Sequence, residues 1–498
     1  MTTQGAGDVS EQKRQEKINQ ALQAFKDDSV AFMNQLPPKR DSNDEVVSGG
    51  TLFSEADIES KDYIIIRDGF RGALADGQDE STRSGFQSDD LAQNVVDTFK
   101  YSQLEDMESA GLMEASLDES PWSDDYWAMY SGILGKRFAD PEFPLTKDPG
   151  NKDWKKQYDY VQANPASTIL AGDDEVAINR LSPSEKYDAL IGDDSGNLTR
   201  IMWEEGKGYY DQSGKVETWM GICHGWAPAA YMLDRPQKSI VLKAADGRDI
   251  TFYPSDIKSL ATLLWANRMP TTRFIGGRCN EKEPKQDESG RIISQEAFDT
   301  NPGTWHQSVV NQIGVAKRSL VLDVTFDYEV WNQPIHAYTY RYFNPQSYTY
   351  ADSLEAAKVS KAEFTADRFK QYRSSRAVDF VGVHMELSYV VETDPNQNET
   401  DTPDQDLIRK VDYYYDLEIK SNNWIVGGEW YTNKHPDFLW TPAPDARAVT
   451  SYDRLVSGDW ESAGVLPSSW QVAAKQAAVT ERSPLAVIVE KMIKRSRA

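Results

Sequence analysis

Residues 221–230 read Gly-Ile-Cys-His-Gly-Trp-Ala-Pro-Ala-Ala and place Cys223, one of two cysteines in the chain, directly before a helix-forming run. The run predicts a helix that begins at Trp226 or Ala227, with Pro228 in its first turn, where a missing N–H costs nothing. The positive end of a helix lowers the pKa of a nearby thiol, so this arrangement is typical of a nucleophilic cysteine. A buried structural cysteine on a tight turn fits the same residues, because free cysteine is among the most buried residue types.

The overall composition bounds the class of protein. At 498 residues the chain exceeds what one core usually supports, which predicts two domains, or one large domain with a helical extension. Hydrophobic residues make up 39% of the chain, which is enough for a sizeable core. The net charge of −25 argues against binding to nucleic acid or to an anionic membrane surface, because like charges repel.

No segment of the sequence reads as a membrane anchor or an export signal. No apolar run approaches the roughly 18 residues of a membrane helix, and residues 1–20 lack the apolar segment of a signal peptide. We therefore expect a cytoplasmic protein, or one exported by a non-classical route. Two cysteines do not make a disulfide framework, although a single bridge between Cys223 and Cys279 is an alternative that would silence the thiol.

The first 120 residues show helical patterns and no catalytic motif. An apolar stripe predicts a helix over residues 11–35, a β-branched run at 63–66 favours a strand, and a second helical stretch spans 91–117. We interpret residues 1–120 as a helical extension that caps, inhibits or targets the rest of the chain.

The first half of residues 121–445 is predicted to be mainly helical. Ser182, with Glu185 three residues later, forms a capping box at the start of one helix, and apolar positions favour another over 257–266. Between them, two alternating runs over 239–253 predict a β-hairpin.

Strand patterns dominate the second half of this region. The predicted strands cover residues 306–315, 319–330, 337–343, 378–392, 412–420 and 424–431. Helices followed by an antiparallel sheet predict an α+β fold. Residues 446–498 are then a C-terminal helical tail.

A thiol nucleophile needs a base, and the chain has five histidines. His224 adjoins Cys223, and neighbouring side chains diverge too far for a good hydrogen bond. His306 opens the first predicted strand, and the next strand carries Asp323 among valines and leucines, where an acid is costly unless partnered. Antiparallel pairing places these two side by side, although a structural salt bridge explains Asp323 equally well. His384 is the reserve base, with a satisfied strand histidine as the simpler interpretation.

The order of a cysteine at a helix N-terminus, a histidine on one strand and an aspartate on the next resembles the papain-like and transglutaminase superfamily. Residues 321–325, Val-Leu-Asp-Val-Thr, look like the strand that carries the catalytic aspartate in transglutaminases. Residues 330–335, Val-Trp-Asn-Gln-Pro-Ile, resemble the surface peptide that plants perceive in the transglutaminase elicitors of plant-pathogenic oomycetes, a family with bacterial relatives. The resemblance extends from about residue 120 to 445.

This resemblance implies a transglutaminase-like catalytic domain over residues 121–445, with a nucleophile helix packed on an antiparallel sheet. Cys223 is then expected to attack the γ-carboxamide of a protein glutamine and release ammonia. His306 is expected to accept the thiol proton and later activate a lysine amine or water, and Asp323 to orient His306. The products are an isopeptide cross-link or a deamidated glutamine, so the expected partners are glutamine- and lysine-bearing proteins.

The same chemistry implies an oxyanion hole. The backbone N–H of Cys223 is one expected donor, and the indole N–H of Trp219 or Trp226 is another. Trp331 is a candidate for the wall of the substrate groove, although a packed turn is the simpler account of its motif. Two features depart from the family pattern. His224 stands where papain-like enzymes and animal transglutaminases carry tryptophan, and the oomycete proteins are secreted, whereas no signal peptide is visible here.

Other classes of function fit parts of the sequence. A cysteine peptidase or amidase begins with the same acyl-enzyme, and a non-enzymatic recognition protein would merely bury Cys223. Zinc accepts cysteine and histidine, but Cys223, His224, Cys279 and His306 lack the short ligand spacing of a zinc motif. We expect no metal site and no required cofactor. Calcium is the alternative left open by the oxygen-rich residues 394–406, although acidic loops between strands are usually just solvated.

Overall fold

The structure, a computed structural model, describes residues 4–47, 90–277, 285–293, 300–324, 331–461 and 464–498. Helices and antiparallel strands both build the described chain, which confirms the predicted α+β class. The strand predicted at 63–66, the residues 325–330 and Cys279 lie outside the described residues. No described helix has both the length and the apolar character that crossing a bilayer requires.

Most helices precede the long strands in the chain. In order, the described α-helices are α1 (Gln4–Asp27), α2 (Ser29–Asn34), α3 (Leu104–Ser109), α4 (Pro144–Lys147), α5 (Trp154–Ala163), α6 (Ala166–Ala171), α7 (Glu175–Asn179), α8 (Pro183–Ile191), α9 (Asn197–Ser213), α10 (Cys223–Met232), α11 (Pro254–Asn267), α12 (Pro302–Val309), α13 (Leu354–Ala357), α14 (Ser468–Glu481) and α15 (Ala486–Arg497). A π-helical turn, Val310–Ala316, extends α12.

The described strands form one large antiparallel sheet and one hairpin. In order they are β1 (Lys39–Arg40), β2 (Glu114–Ser116), β3 (Ile240–Lys243), β4 (Asp249–Phe252), β5 (Thr272–Gly276), β6 (Val321–Asp323), β7 (Asn332–Asn344), β8 (Thr349–Ala351), β9 (Val359–Ser360), β10 (Asp379–Val391), β11 (Leu407–Ile419), β12 (Ile425–Trp430) and β13 (Phe438–Pro442). The main order is β1-β11-β10-β7-β6-β13-β5, while β2 and β8 pair with β7, β9 with β10, and β12 with β11. Strands β3 and β4 form the predicted hairpin.

The three longest strands, β7, β10 and β11, give the sheet two distinct faces. Because side chains alternate along a strand, the paired residues Tyr340, Met385 and Tyr413 lie on one face, in the main hydrophobic core. His384 and its partner Tyr414 lie on the other face. The main core also contains Cys223, so the helical layer with the thiol covers the first face.

The N-terminal helices cover the second face. Leu22 and Phe25 of α1 pack in a separate cluster with Tyr414. Lys17 pairs with the buried carboxylate of Asp412 at 2.5 Å, which fixes α1 to β11. Residues 4–47 thus pack on the sheet face opposite the main core, their inhibitory or targeting role stays a prediction, and residues 48–89 lie outside the described residues. The helix predicted over 91–117 is also replaced, because the chain there forms the short helix α3 and the strand β2.

The C-terminal helices are an integral part of the main core. Trp470 of α14 and Ile488 and Met492 of α15 are almost fully buried. Residues 464–498 thus contribute to the same core as the central strands, although the sequence suggested a tail.

Local signals predicted several elements correctly. The Ser182 hydroxyl accepts a hydrogen bond from the N–H of Glu185 at the start of α8, and the Glu185 side chain completes the capping box. Helix α11 contains the predicted residues 257–266. The strand predictions at 337–343, 378–392, 412–420 and 424–431 correspond to β7, β10, β11 and β12.

Two predictions around the site were wrong. Helix α10 begins at Cys223 rather than at Trp226 or Ala227, since the carbonyl of Ile222 already accepts hydrogen bonds from the N–H groups of Gly225 and Trp226. The segment at 306–315 is helical rather than a strand. The side chain of Asn301 caps the first turn of α12, and Pro302 occupies its first position.

Candidate active site

Cys223 is the first residue of α10, and contacts on both sides of it, at residues 221–222 and at Gly225, fix its position. The N–H of Ile222 donates to the carbonyl of Tyr126 at 2.8 Å. Gly221 lies so close to Tyr126 that a Cβ there would be 2.5 Å from the ring, and a Cβ on Gly225 would be 2.3 Å from the carbonyl oxygen of Thr262. Small residues therefore let α10 approach its neighbours and fix the position of the thiol.

Asn332, the first residue of β7, contacts the thiol directly. Its amide Nδ2 donates to Cys223 Sγ at 3.8 Å, and its Oδ1 accepts a hydrogen bond from the indole of Trp440 at 2.9 Å. All three residues are buried. The Trp440 bond fixes which end of the amide faces the sulfur.

Asp323 lies opposite Asn332 in the β6–β7 pair. It is fully buried, and its Oδ1 accepts a hydrogen bond from the N–H of Trp331 at 3.0 Å. The negative charges of Glu392 and Asp323 both act on the Cys223 thiol and raise its pKa. The structure thus brings Cys223 and Asp323, two residues of the predicted triad, into one site.

The environment of Cys223 favours the neutral thiol. Burial raises its pKa to about 12, and the charges of Glu392 and Asp323 add to this, while hydrogen bonds from Asn332 oppose it. The sequence predicted a lowered pKa from the helix N-terminus, and burial outweighs that effect here. Burial in the structure therefore favours the protonated thiol over the thiolate.

His306 does not join this group. It lies on α12, where its Nδ1 hydrogen-bonds the hydroxyl of Tyr415 at 2.8 Å and its ring packs edge-on against Tyr340. Its Nε2 has no hydrogen-bond partner among the described residues. Burial alone lowers its pKa to about 3. The prediction that Asp323 lies beside His306 on the sheet was wrong, because His306 is on a helix and neither ring nitrogen bonds that carboxylate.

The predicted aromatic residues have different surroundings. The indole N–H of Trp226 donates to the carbonyl of Trp122 at 2.9 Å in the core, so it is already used as a structural donor. Trp331 packs edge-on against Tyr126, with ring centroids 5.4 Å apart, and the Tyr126 ring lies against Gly221 in the loop before Cys223. Trp219 is half-buried two residues before Gly221, and its role as an oxyanion donor stays a prediction.

The reserve base His384 is on the far face of the sheet. Its Nε2 lies 2.7 Å from the Asp412 carboxylate, which also pairs with Lys17 and Arg40. This network joins the N-terminal segment to β10 and β11. His384 is thus a strand histidine bound through Nε2 in this network, and its Nδ1 has no hydrogen-bond partner among the described residues.

Comparison with known proteins identifies the family and the fold. The model of the family described as "Transglutaminase elicitor" matches residues 94–454. The chain belongs to the transglutaminase elicitor family. No curated protein matches the sequence. In fold, the chain is similar to the crystal structure of the GP42 transglutaminase from Phytophthora sojae, with a TM-score of 0.51 and 20% sequence identity over 83% of this chain and 98% of that chain.

In this member of the transglutaminase elicitor family, the Trp-Asn-Gln-Pro motif is not a surface peptide. Residues 331–335 are buried, and they place Asn332 against the thiol. The motif therefore forms part of the candidate site itself.

The family assignment does not by itself supply a metal site. Among the described residues, no group of three or more histidine, cysteine, aspartate or glutamate side chains is arranged to hold a metal ion. In the acidic run 394–406, Asp406 and Asp401 both pair with Arg235, at 2.6 and 2.7 Å, and Asp401 also pairs with Lys258. These two carboxylates neutralise buried cations, and calcium binding by the rest of the run stays a prediction.

Sequence reasoning missed two further polar residues of the site. Gln333 follows Asn332, and its amide Nε2 donates to the Glu392 carboxylate at 2.7 Å. Glu392 comes directly after β10 and is partly exposed. The alternating strand pattern predicted β10, but only the register of β10 against β7 reveals that this acid lies at the site.

Proposed function

We propose that this protein is a transglutaminase that transfers the acyl group of a protein glutamine through Cys223. The contact between the Cys223 thiol and the Asn332 amide, beside the buried carboxylate of Asp323, is the observation that carries the proposal. Membership in the transglutaminase elicitor family supports the reaction class. The substrates are proteins that bear glutamine and lysine side chains.

In the proposed first step, Asp323 accepts the thiol proton as the donor glutamine binds. The thiolate attacks the carboxamide carbon, Asp323 passes its proton to the amide nitrogen, the C–N bond breaks, and ammonia departs, which leaves a thioester on Cys223. Asn332 Nδ2 and the backbone N–H of Cys223 are placed to stabilise the oxyanion, since the first N–H groups of a helix have no acceptor within it. A lysine amine then yields an isopeptide bond, and water yields a glutamate.

Asp323 takes the base role in this proposal, in place of the His306 of the predicted triad. The Nδ1 of His306 bonds Tyr415, its Nε2 has no hydrogen-bond partner among the described residues, and burial lowers the pKa of the ring to about 3. A role for His306 therefore requires a movement that brings a ring nitrogen to Cys223 or Asp323. Variants of the two residues separate these possibilities.

Two other functions start from the same residues. A cysteine peptidase or amidase shares the acyl-enzyme, and a recognition protein would not need the thiol. The test mixes the protein with a glutamine donor peptide and a fluorescent primary amine. Amine incorporation that is lost in Cys223→Ala supports transglutaminase activity. Cleavage of the peptide without incorporation means a peptidase, and function that survives in Cys223→Ala means recognition.

A further inference from the structure

Glu392 is a second carboxylate near the thiol, and none of the proposed reaction steps involves it. Gln333 holds it through the 2.7 Å hydrogen bond from Nε2, and the adjacent residue Asn332 contacts Cys223 Sγ. The charge of Glu392 reaches Cys223 and raises the pKa of the thiol. The negative charge of the Glu392 carboxylate disfavours the Cys223 thiolate. Glu392 therefore does not help to form the nucleophile, and we expect another role for it.

Gln333 provides a second, independent sign of a ligand. Its side chain is 2% exposed, and its Oε1 has no hydrogen-bond donor among the described residues. A buried acceptor without a donor is costly. Since the amide nitrogen is bound to Glu392, the amide oxygen also lies next to that carboxylate. A ligand with several N–H donors would satisfy both groups at once.

The neighbouring side chains suit a cation on an alkyl chain. Burial raises the pKa of the Tyr126 hydroxyl, the negative charge of Glu392 adds to this, and the Tyr126 ring packs against Trp331. Aromatic rings beside a carboxylate favour an ammonium group and its methylene stem. Because Glu392 is partly exposed, such a group has access from solvent.

We propose that Glu392 and the amide oxygen of Gln333 form the subsite for the acyl acceptor, and that they bind the primary ammonium of a lysine side chain. This inference rests on the proposed transglutaminase function. It assigns the choice between lysine and water to residues distinct from Cys223 and Asp323.

The subsite also prepares the amine for attack. Glu392 accepts one proton from the bound ammonium, and the neutral amine attacks the thioester carbonyl. The C–N bond forms, the C–S bond breaks, and the second amine proton passes to the departing thiolate to restore the thiol. Glu392 then returns its proton to solvent.

The acidity of Glu392 agrees with this task. Burial raises its pKa to about 7, the negative charge of Asp125 adds to this, and the Gln333 hydrogen bond and the positive charge of Lys39 oppose it. A carboxylate that titrates near neutral pH is a better proton acceptor than an ordinary glutamate. Asp125 is itself paired with Lys136 at 2.5 Å, which leaves Glu392 as the proposed acceptor.

The experiment compares the full-length wild type with Glu392→Gln, and with Glu355→Gln as a charge-matched control, since Glu355 is 89% exposed and pairs only with Lys358 among the described residues. A donor glutamine peptide is supplied with increasing 5-aminopentyl dye, and isopeptide and deamidated products are counted by mass spectrometry. We expect Glu392→Gln to raise the KM for the amine by about tenfold or more, as loss of a charge-assisted hydrogen bond does. Ammonia release without amine should remain measurable.

A second acceptor separates recognition from folding. Hydroxylamine is uncharged at neutral pH, so its incorporation should fall less in Glu392→Gln than that of the ammonium-bearing dye. An unchanged KM and product ratio in Glu392→Gln would overturn the subsite. Absence of ammonia release by the wild type would instead overturn the proposed function, because it concerns the first half of the reaction.

Discussion

Asp323 and Asn332 face each other across the β6–β7 pair, and both act on the Cys223 thiol, one through its charge and the other through its amide. Trp331 and Trp440 hold their side chains by hydrogen bonds of 3.0 and 2.9 Å. The site is thus built mainly by a strand pair and the helix that begins at the thiol. The histidine of the predicted triad lies elsewhere in the core.

The first prediction concerns the identity of the base. Asp323→Asn keeps the shape of the side chain but removes the proton acceptor, so we expect amine incorporation to fall at least about 100-fold, at the low end of general acid–base effects. His306→Asn keeps a polar atom near Tyr415 and should retain most activity. Thermal unfolding checks that both variants fold. Full activity in Asp323→Asn with loss in His306→Asn would restore the predicted histidine base.

The second prediction concerns pH. Because burial raises the pKa of Cys223 to about 12, the thiolate is scarce at neutral pH, and each pH unit below that pKa reduces it about tenfold. Iodoacetamide labelling of Cys223, followed by peptide mass spectrometry, should therefore keep accelerating with pH well above the ordinary thiol value of about 8.5. A plateau at or below that value would mean an activated thiolate in the resting protein.

The third prediction concerns the orientation of Asn332. Trp440→Phe removes the indole N–H that fixes the amide, while most of the aromatic packing remains. We expect ammonia release to fall severalfold, with a loss of stability of about 1 kcal/mol. Trp470→Phe is the matched control, because its indole donates to the Ser457 carbonyl at 3.1 Å in the C-terminal region. Equal loss of activity in the two variants would point to a general effect on folding.

The fourth prediction concerns the contact between α10 and α11. Gly225→Ala places a Cβ 2.3 Å from the Thr262 carbonyl oxygen and 2.6 Å from Ala266, so the helices must separate. We expect a destabilisation of about 1–3 kcal/mol in denaturant unfolding. Gly208→Ala in α9 meets open space and should be neutral or stabilising by up to about 1 kcal/mol. Equal stability of the two variants would mean that α10 and α11 do not pack closely at Gly225.

The sequence predicted that Cys223 and Asp323 belong to one site, where the structure places them, but not the geometry around them, and the catalytic roles of both residues stay predictions. The alternation of apolar and polar residues along the sequence identified the strands β7, β10 and β11. The strand predicted from His306 onward was wrong. Val309, Val310 and Ile313 have a high β propensity. The chain nevertheless forms a helix there, which begins at Pro302 and is capped by Asn301. Local helix-start signals outweighed β propensity.

The position of Glu392 at the site depends on how β10 pairs with β7. The β7–β10 pairing shifts between Ser388 and Tyr389, and this irregularity precedes the end of the strand where Glu392 meets Gln333. A sequence pattern specifies which residues alternate along a strand, but not where a bulge falls against its partner. The subsite was therefore beyond prediction from one sequence.

Detection of the covalent intermediate tests the proposed role of Cys223 directly. The wild-type protein is mixed with a glutamine donor peptide in the absence of amine, quenched in acid, and analysed by intact and peptide mass spectrometry. We predict an adduct on Cys223 with the mass of the peptide less ammonia, lost on treatment with hydroxylamine and absent in Cys223→Ala. Amine incorporation that continues in Cys223→Ala, or an adduct on another residue, would mean that Cys223 is not the nucleophile.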